Sequence, residues 1–224
     1  MSPLWDETDF ERYAQFCRGR GYCSPWHPFV GSDYGAPGRL KLLYCGGSAW
    51  WGEQQDSTPL SRAKLLTDQF VGSGMYSTPF WRLFERIAKL AYPDVVGREN
   101  AAMYAAWTNL SKTGVVGASA PPDSDEVLRQ MDIAQLNREL AILRPDVLVC
   151  VSGSLVPSTG HAIFDACDEV ELMPVTPSTW LRKTSWGGSL LWTMHPAYKS
   201  EEWLTSVEED FSKLLRSLDK PLTN

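Results

Sequence analysis

Apolar and polar positions along the chain switch repeatedly between a helical and an extended period. Phe10, Tyr13, Ala14, Phe16 and Cys17 recur at helical spacing and predict a helix over 6–18. Residues 19–38 are rich in Gly, Pro and aromatics and read as a loop. The apolar run 40–45 predicts a first strand, followed directly by Gly46 and Gly47. A helix over 61–70 is broken by Gly72 and Gly74. Pro79 opens the next helix, with Phe80, Trp81, Phe84, Ile87, Ala88 and Ala91 on one face and Pro93 at its end.

Further on, 101–110 reads as a second strand that closes with Asn109, and 114–122 as a loop. Residues 124–143 predict a long amphipathic helix that turns Val127, Leu128, Met131, Ile133, Leu136, Leu140 and Leu143 inward. The almost wholly apolar, β-branched run 146–151 has the composition of a central parallel strand. A short helix over 161–167, a strand over 169–175, a last strand over 190–194 and a last helix over 201–218 complete the pattern. Alternating strands and helices predict an α/β protein: a three-layer α/β/α sandwich with a mostly parallel central sheet. Without repeats, linkers or low-complexity blocks, 1–224 is expected to form a single domain.

Composition narrows the function classes. Hydrophobic residues make up 43% and charged residues 21%, enough for a real core. A net charge of −6 argues against a broadly basic, nucleic-acid-coating protein but leaves room for a local basic strip. The five Cys are odd in number and have no paired spacing, and Cys45 and Cys150 fall in strand-like runs. Buried free thiols in a reducing, cytoplasmic setting are expected. No apolar run reaches the ~20 residues of a membrane span, and the acidic first ten residues do not resemble a signal peptide. Three scattered His and unpaired Cys give no metal-ligand spacing, so neither metal nor cofactor is implied. Ten Trp are many, and several are candidates to line a groove.

The candidate chemistry gathers at strand ends. Residues 189–194 form an apolar run that stops at His195-Pro196, where Pro196 holds its own φ and biases His195 toward extended backbone. In a parallel sheet the carboxyl ends of the strands share one rim, where ligands bind. Gly46 to Glu53, Asn109, and His195 to Ser200 are then expected to meet.

In the order and character of these motifs, over about 40–218, the chain resembles the uracil-DNA glycosylase superfamily. The resemblance is carried by Tyr44-Cys45-Gly46-Gly47-Ser48-Ala49-Trp50, by Trp107-Thr108-Asn109-Leu110, by 144–150, and most specifically by Met194-His195-Pro196-Ala197-Tyr198-Lys199-Ser200. It implies a monomeric partner of DNA that extrudes a base and cleaves its N-glycosidic bond. In that scheme Gly46, Gly47 and Ser48 place water, Asn109 reads the base, and His195 steadies charge on the departing base. Trp50, Trp51, Tyr76 and Phe80 are candidates to stack on the base, and Pro196, Tyr198, Lys199 and Ser200 to contact DNA.

The chain departs from the family at one point. Active members carry a carboxylate immediately or two positions after the first Gly, and here those positions hold Gly47 and Ser48. Glu53, or Asp56 after it, would have to substitute, or Ser48 would place water without a strong base. The small side chains of Gly47, Ser48 and Ala49 leave room for a larger base, such as a hydroxymethylated or glycosylated pyrimidine of viral DNA. Two other functions compete. One is a binding module of the same fold with a decayed site. The other is a serine hydrolase using Ser48 and His195 with Asp146 or Asp165, since Gly46-Gly47-Ser48-Ala49-Trp50 half-matches a nucleophile elbow.

Overall fold

The computed structural model describes residues 3–48, 59–72, 78–114, 125–152, 173–176 and 179–218. Its strands are β1 (Phe29–Val30), β2 (Leu42–Ser48), β3 (Ala105–Ser111), β4 (Val147–Val151), β5 (Met173–Thr176), β6 (Thr179–Lys183) and β7 (Ser189–Thr193). Its helices are α1 (Glu7–Arg20), α2 (Leu60–Gly72), α3 (Pro79–Ala91), α4 (Arg98–Ala102), α5 (Glu126–Leu143) and α6 (Glu201–Leu218).

One mixed sheet runs in the order β1-β3-β2-β4-β7-β6-β5. Its four central strands, β3, β2, β4 and β7, are mutually parallel, and antiparallel neighbours close both sides. The first of the parallel strands is flanked by the second and the third, so the winding reverses at β2. Such a reversal opens a crevice beyond the carboxyl ends of the strands.

The period-2 alternation of the strands sorts the core into two layers. Leu42, Tyr44, Val147, Val149 and Leu191 pack with Phe84 and Ile87 of α3 and with Val207 and Phe211 of α6. Leu43, Cys45, Leu148, Cys150 and Leu190 pack with Leu136, Leu140 and Leu143 of α5 on the opposite face. Helices therefore cover both faces of the sheet. Full burial of side chains such as Tyr44, Phe84 and Phe211 contributes roughly 1.5–3 kcal/mol each. Cys17, Cys23, Cys45 and Cys150 are buried free thiols. No described helix is long and apolar enough to cross a membrane.

Several elements differ from expectation. The span 101–110 is not one strand. Its first residues end helix α4, and β3 begins only at Ala105, because an Ala-rich stretch suits a helix as well as a buried strand. The stretch 19–38 contains β1, whose two residues pair with Trp107 and Ala106. Gly46 and Gly47 do not form a turn but continue β2 to Ser48. Strand β6 was not expected, since Trp180, Leu181, Arg182 and Lys183 show no clean alternation, yet it completes a hairpin onto β7.

The inward face of α5 is also not the apolar stripe expected. Val127 is exposed, while Asp132, Gln135 and Glu139 are buried beside Leu128, Leu136 and Leu140. The expected helix over 161–167 lies outside the described residues, as do all but the last part of the expected strand 169–175.

Candidate functional site

The register of the parallel strands lines up the candidate residues. Asn109 of β3 pairs with Gly46 of β2, Gly46 with Val151 of β4, and Val151 with Thr193 of β7. His195 follows two residues beyond Thr193. The row sits at the carboxyl ends of all four strands, at the rim next to the winding reversal.

Gly46 is required by close approach. A Cβ there would stand 2.4 Å from Asn109 Oδ1 and 3.1 Å from the Phe80 ring. Without a side chain at that position, the carboxamide and the ring both close over the strand. Asn109 is 4% exposed, and its Nδ2 has no hydrogen-bond partner among the described residues. Buried amide donors in folded proteins are nearly always paired, so an orphaned one marks a place where a partner group belongs.

Phe80 stands in the first turn of α3. Tyr44 of β2 fixes it from below, donating its hydroxyl proton to the Phe80 carbonyl at 2.9 Å and packing ring to ring at 4.8 Å. On its other side the Phe80 ring is nearly parallel to His195, with centroids 6.0 Å apart and planes 18° apart. Beneath it, Trp81 contacts Phe80, Phe70 and Trp107, and Trp107 contacts Trp26, in a continuous aromatic floor. The Trp107 Nε1–H, on the same strand face as Asn109, also lacks a hydrogen-bond partner among the described residues.

His195 is held in one protonation pattern. The Ala197 N–H donates to its Nδ1 at 3.1 Å, so Nδ1 acts as acceptor. The neutral ring then carries its proton on Nε2, which is left to donate. Desolvation of the ring pulls its pKa below the usual histidine value, which favours the neutral form.

The loop after His195 is tightly turned. The Lys199 N–H donates to the Pro196 carbonyl at 3.2 Å, closing a four-residue turn with Tyr198 at its third position. Tyr198 takes φ +59° and is fully exposed. That turn position normally belongs to Gly or Asn, and an aromatic residue held there against its preference is a pointer to function. Pro196 is buried and braces the turn. Lys199 Nζ lies 5.9 Å from the centre of the Trp203 ring and 3.8 Å from Met194 Sδ. Ser200 has a local role: its Oγ accepts the Trp203 N–H at 3.3 Å and caps α6.

The other expected residues divide as follows. Ser48 closes β2 opposite Ser111, and Gly47 precedes it. Glu53, Trp50, Trp51 and Tyr76, with Asp56 and Asp165, lie outside the described residues. Asp146 does not join the site. It precedes β4 at the opposite end of the sheet, where its carboxylate accepts the Lys41 N–H at 2.8 Å. At about 3.3 Å per strand residue, the length of β7 separates that end from His195, so Asp146 cannot complete a catalytic triad.

The sequence reading missed a second polar cluster behind Asn109. Lys112 is 1% exposed, and its ammonium donates to Glu139 Oε2 at 2.7 Å, to Thr108 Oγ1 at 2.8 Å and to the Asn109 carbonyl at 2.6 Å. Thr108 Oγ1 in turn donates to Glu139 at 2.7 Å, and Gln135 Nε2 to Glu139 Oε1 at 2.9 Å. Asp132 accepts the Lys112 N–H at 2.8 Å, the Ser111 hydroxyl at 2.9 Å and the Tyr13 hydroxyl. Burial pushes the Asp132 carboxyl up to about 6 despite these donors. The available signal was Asp132, Gln135 and Glu139 at helical spacing, on the stripe shared with Leu128 and Leu136.

No protein-family model and no curated protein matches this sequence.

Proposed function

We propose that the chain is a DNA glycosylase that hydrolyses the N-glycosidic bond of a flipped-out pyrimidine. The observation that supports this reading is the gathering at one rim of a buried Asn109, whose Nδ2 has no hydrogen-bond partner among the described residues, and a His195 whose Nδ1 accepts a backbone N–H, so that Nε2–H is left to donate. Phe80 links the two: its ring centre lies 6.0 Å from that of His195, and with Asn109 it crowds Gly46, where only glycine fits. A carboxamide offers a donor and an acceptor to a base edge. Cleavage builds negative charge on the departing base, and a preorganised N–H donor at its oxygen stabilises the transition state by about 3–4 kcal/mol, as in an oxyanion hole. Phe80, which with Asn109 closes over Gly46, contributes an aromatic wall beside the extruded base. Tyr198, fully exposed on its strained turn, is placed to fill the vacated stack.

The reading includes the uracil-DNA glycosylase-like form of the fold, and the alignment of Gly46, Asn109 and the His195 loop at the carboxyl ends of parallel strands supports it. Gly47 and Ser48 provide no carboxylate after Gly46, so water is placed by neutral groups or by Glu53 or Asp56. The small residues there favour a substituted pyrimidine over plain uracil. The same missing acid is the specific observation that favours a second reading, a binding module that grips a base without releasing it.

The test is a panel of duplex and single-stranded DNAs carrying uracil, mispaired thymine, hydroxymethylcytosine or its glucosylated form. Released base is read by mass spectrometry and abasic sites by alkaline cleavage. Release of one base, reduced at least ~10²-fold in His195→Ala and Asn109→Ala, supports the glycosylase. DNA binding with no release across the panel supports the binding module. Release of plain uracil alone removes the substituted-base preference.

A further inference from the structure

Lys112 is costly where it stands. It is 1% exposed, Glu139 is 0% exposed, and the two are 2.7 Å apart. Buried ion pairs seldom stabilise more than apolar side chains of equal volume would, because desolvation cancels much of their attraction. A structural role alone therefore does not account for this pair. Its geometry points elsewhere: the lysine, one residue past β3, folds back along that strand, and its third hydrogen bond ends on the Asn109 carbonyl at 2.6 Å. Thr108, the residue before Asn109, bonds both charges. Asp132 anchors the backbone N–H of Lys112 itself.

The Asn109 carbonyl and the side chain of Thr108 before it are thus tied through Lys112 and Glu139 to α5, on the face away from the candidate site. The Asn109 side chain points to the other face, against Gly46.

We infer that Lys112, Glu139 and Thr108 are positioning residues: a buried ionic clamp that fixes the backbone of Asn109 so that its carboxamide is held ready for the base. The inference rests on the glycosylase reading for its consequence but not for its geometry. Hydrogen bonds from a charged donor are short and directional, and misplacing a positioning group by about 1 Å can cost ~10²-fold in rate. An apolar core of equal volume would bury the same area and leave the strand end free to shift.

The decisive variant is the triple Thr108→Val, Lys112→Met, Glu139→Leu, which removes every polar side chain of the clamp and keeps its volume. It is expected to fold with a melting temperature at or above that of the wild type. The ¹⁵N–¹H signals of the Asn109 carboxamide, assigned by their loss in Asn109→Asp, are expected to shift or broaden. On the DNA that the wild type cleaves, kcat is expected to fall roughly 10–100-fold with KM little changed.

A folded triple variant with unmoved Asn109 signals would overturn the inference and leave the cluster a structural one. If the triple variant does not fold, Thr108→Val alone decides by the same signals, with a smaller shift expected and no shift counting against the clamp. If the wild type releases no base from any DNA, the glycosylase reading fails, and the carboxamide signals still decide for or against the clamp.

Discussion

The two faces of strand β3 differ sharply at its carboxyl end. On the α5 face, the side chains of Thr108 and, one residue past the strand, Lys112 are saturated: every side-chain donor and acceptor meets a partner, the Glu139 carboxylate included. On the α3 face, Trp107 and Asn109 keep buried N–H groups without partners among the described residues. The same few residues of backbone carry both. Leaving a buried donor unmade costs about 1–3 kcal/mol, while the face behind it holds a complete ionic network. The contrast separates what holds the strand from what the strand presents. The saturated face belongs to the scaffold, and under the proposed reading the unsaturated face is the one offered to a ligand.

The most severe way to break the scaffold face is Lys112→Met alone. It leaves Glu139 charged and uncompensated at full burial, and a loss of about 3–5 kcal/mol is expected, measured by urea unfolding.

Next comes pH. The folded-state pKa of Asp132, about 6, lies above its ordinary value of 3.8, a difference on the order of 3 kcal/mol. A raised carboxyl pKa means that the folded state binds the proton more tightly. Its contribution to stability is therefore fully present below about 3.8 and lost as pH rises through about 6. Asp132→Asn should flatten the dependence of stability on pH between those values, and an unchanged profile would mean that Asp132 is not the group responsible.

On the presenting face, Gly46→Ala brings a methyl group to 2.4 Å from Asn109 Oδ1. Overpacking of this kind costs about 1–3 kcal/mol, and the carboxamide must swing away. Calorimetry should show the lost stability and a base-release assay the lost rate.

The smallest stability effect and the sharpest contrast belong to Asn109→Leu. Removing an unsatisfied donor should leave stability within about 1 kcal/mol of the wild type, or raise it, while base release disappears. A large destabilisation by this variant would show that the carboxamide serves the fold and would erase the difference between the two faces.

Much of the fold was legible because burial on both sides of a parallel sheet writes itself as unbroken apolar runs, as in Val147-Leu148-Val149-Cys150-Val151. Helix α3 was legible from Pro79 and its one-sided apolar face. Strand β1 was not, because two residues carry no period, and α4 was not, because alanines serve a helix and a buried strand alike. At the candidate site, Gly46, Asn109, Phe80 and His195 could be singled out because glycine, a carboxamide at a strand end and a His-Pro corner are rare signals. Lys112, Asp132 and Glu139 could not, because charged residues in a sequence read as surface. Only their partners make them core.

The sequence by itself determined the alternation of strands and helices, the apolar centre of the sheet and the chemistry available at three strand ends. These are local properties, set by side-chain period, by proline and glycine backbone preferences and by residue type. The tertiary structure alone decided that Gly46 lies abreast of Asn109, that Phe80 comes over it, and that Lys112 turns back to meet Glu139. Those are contacts between residues far apart in the chain, and their energies depend on burial and pairing, which no single stretch of sequence contains.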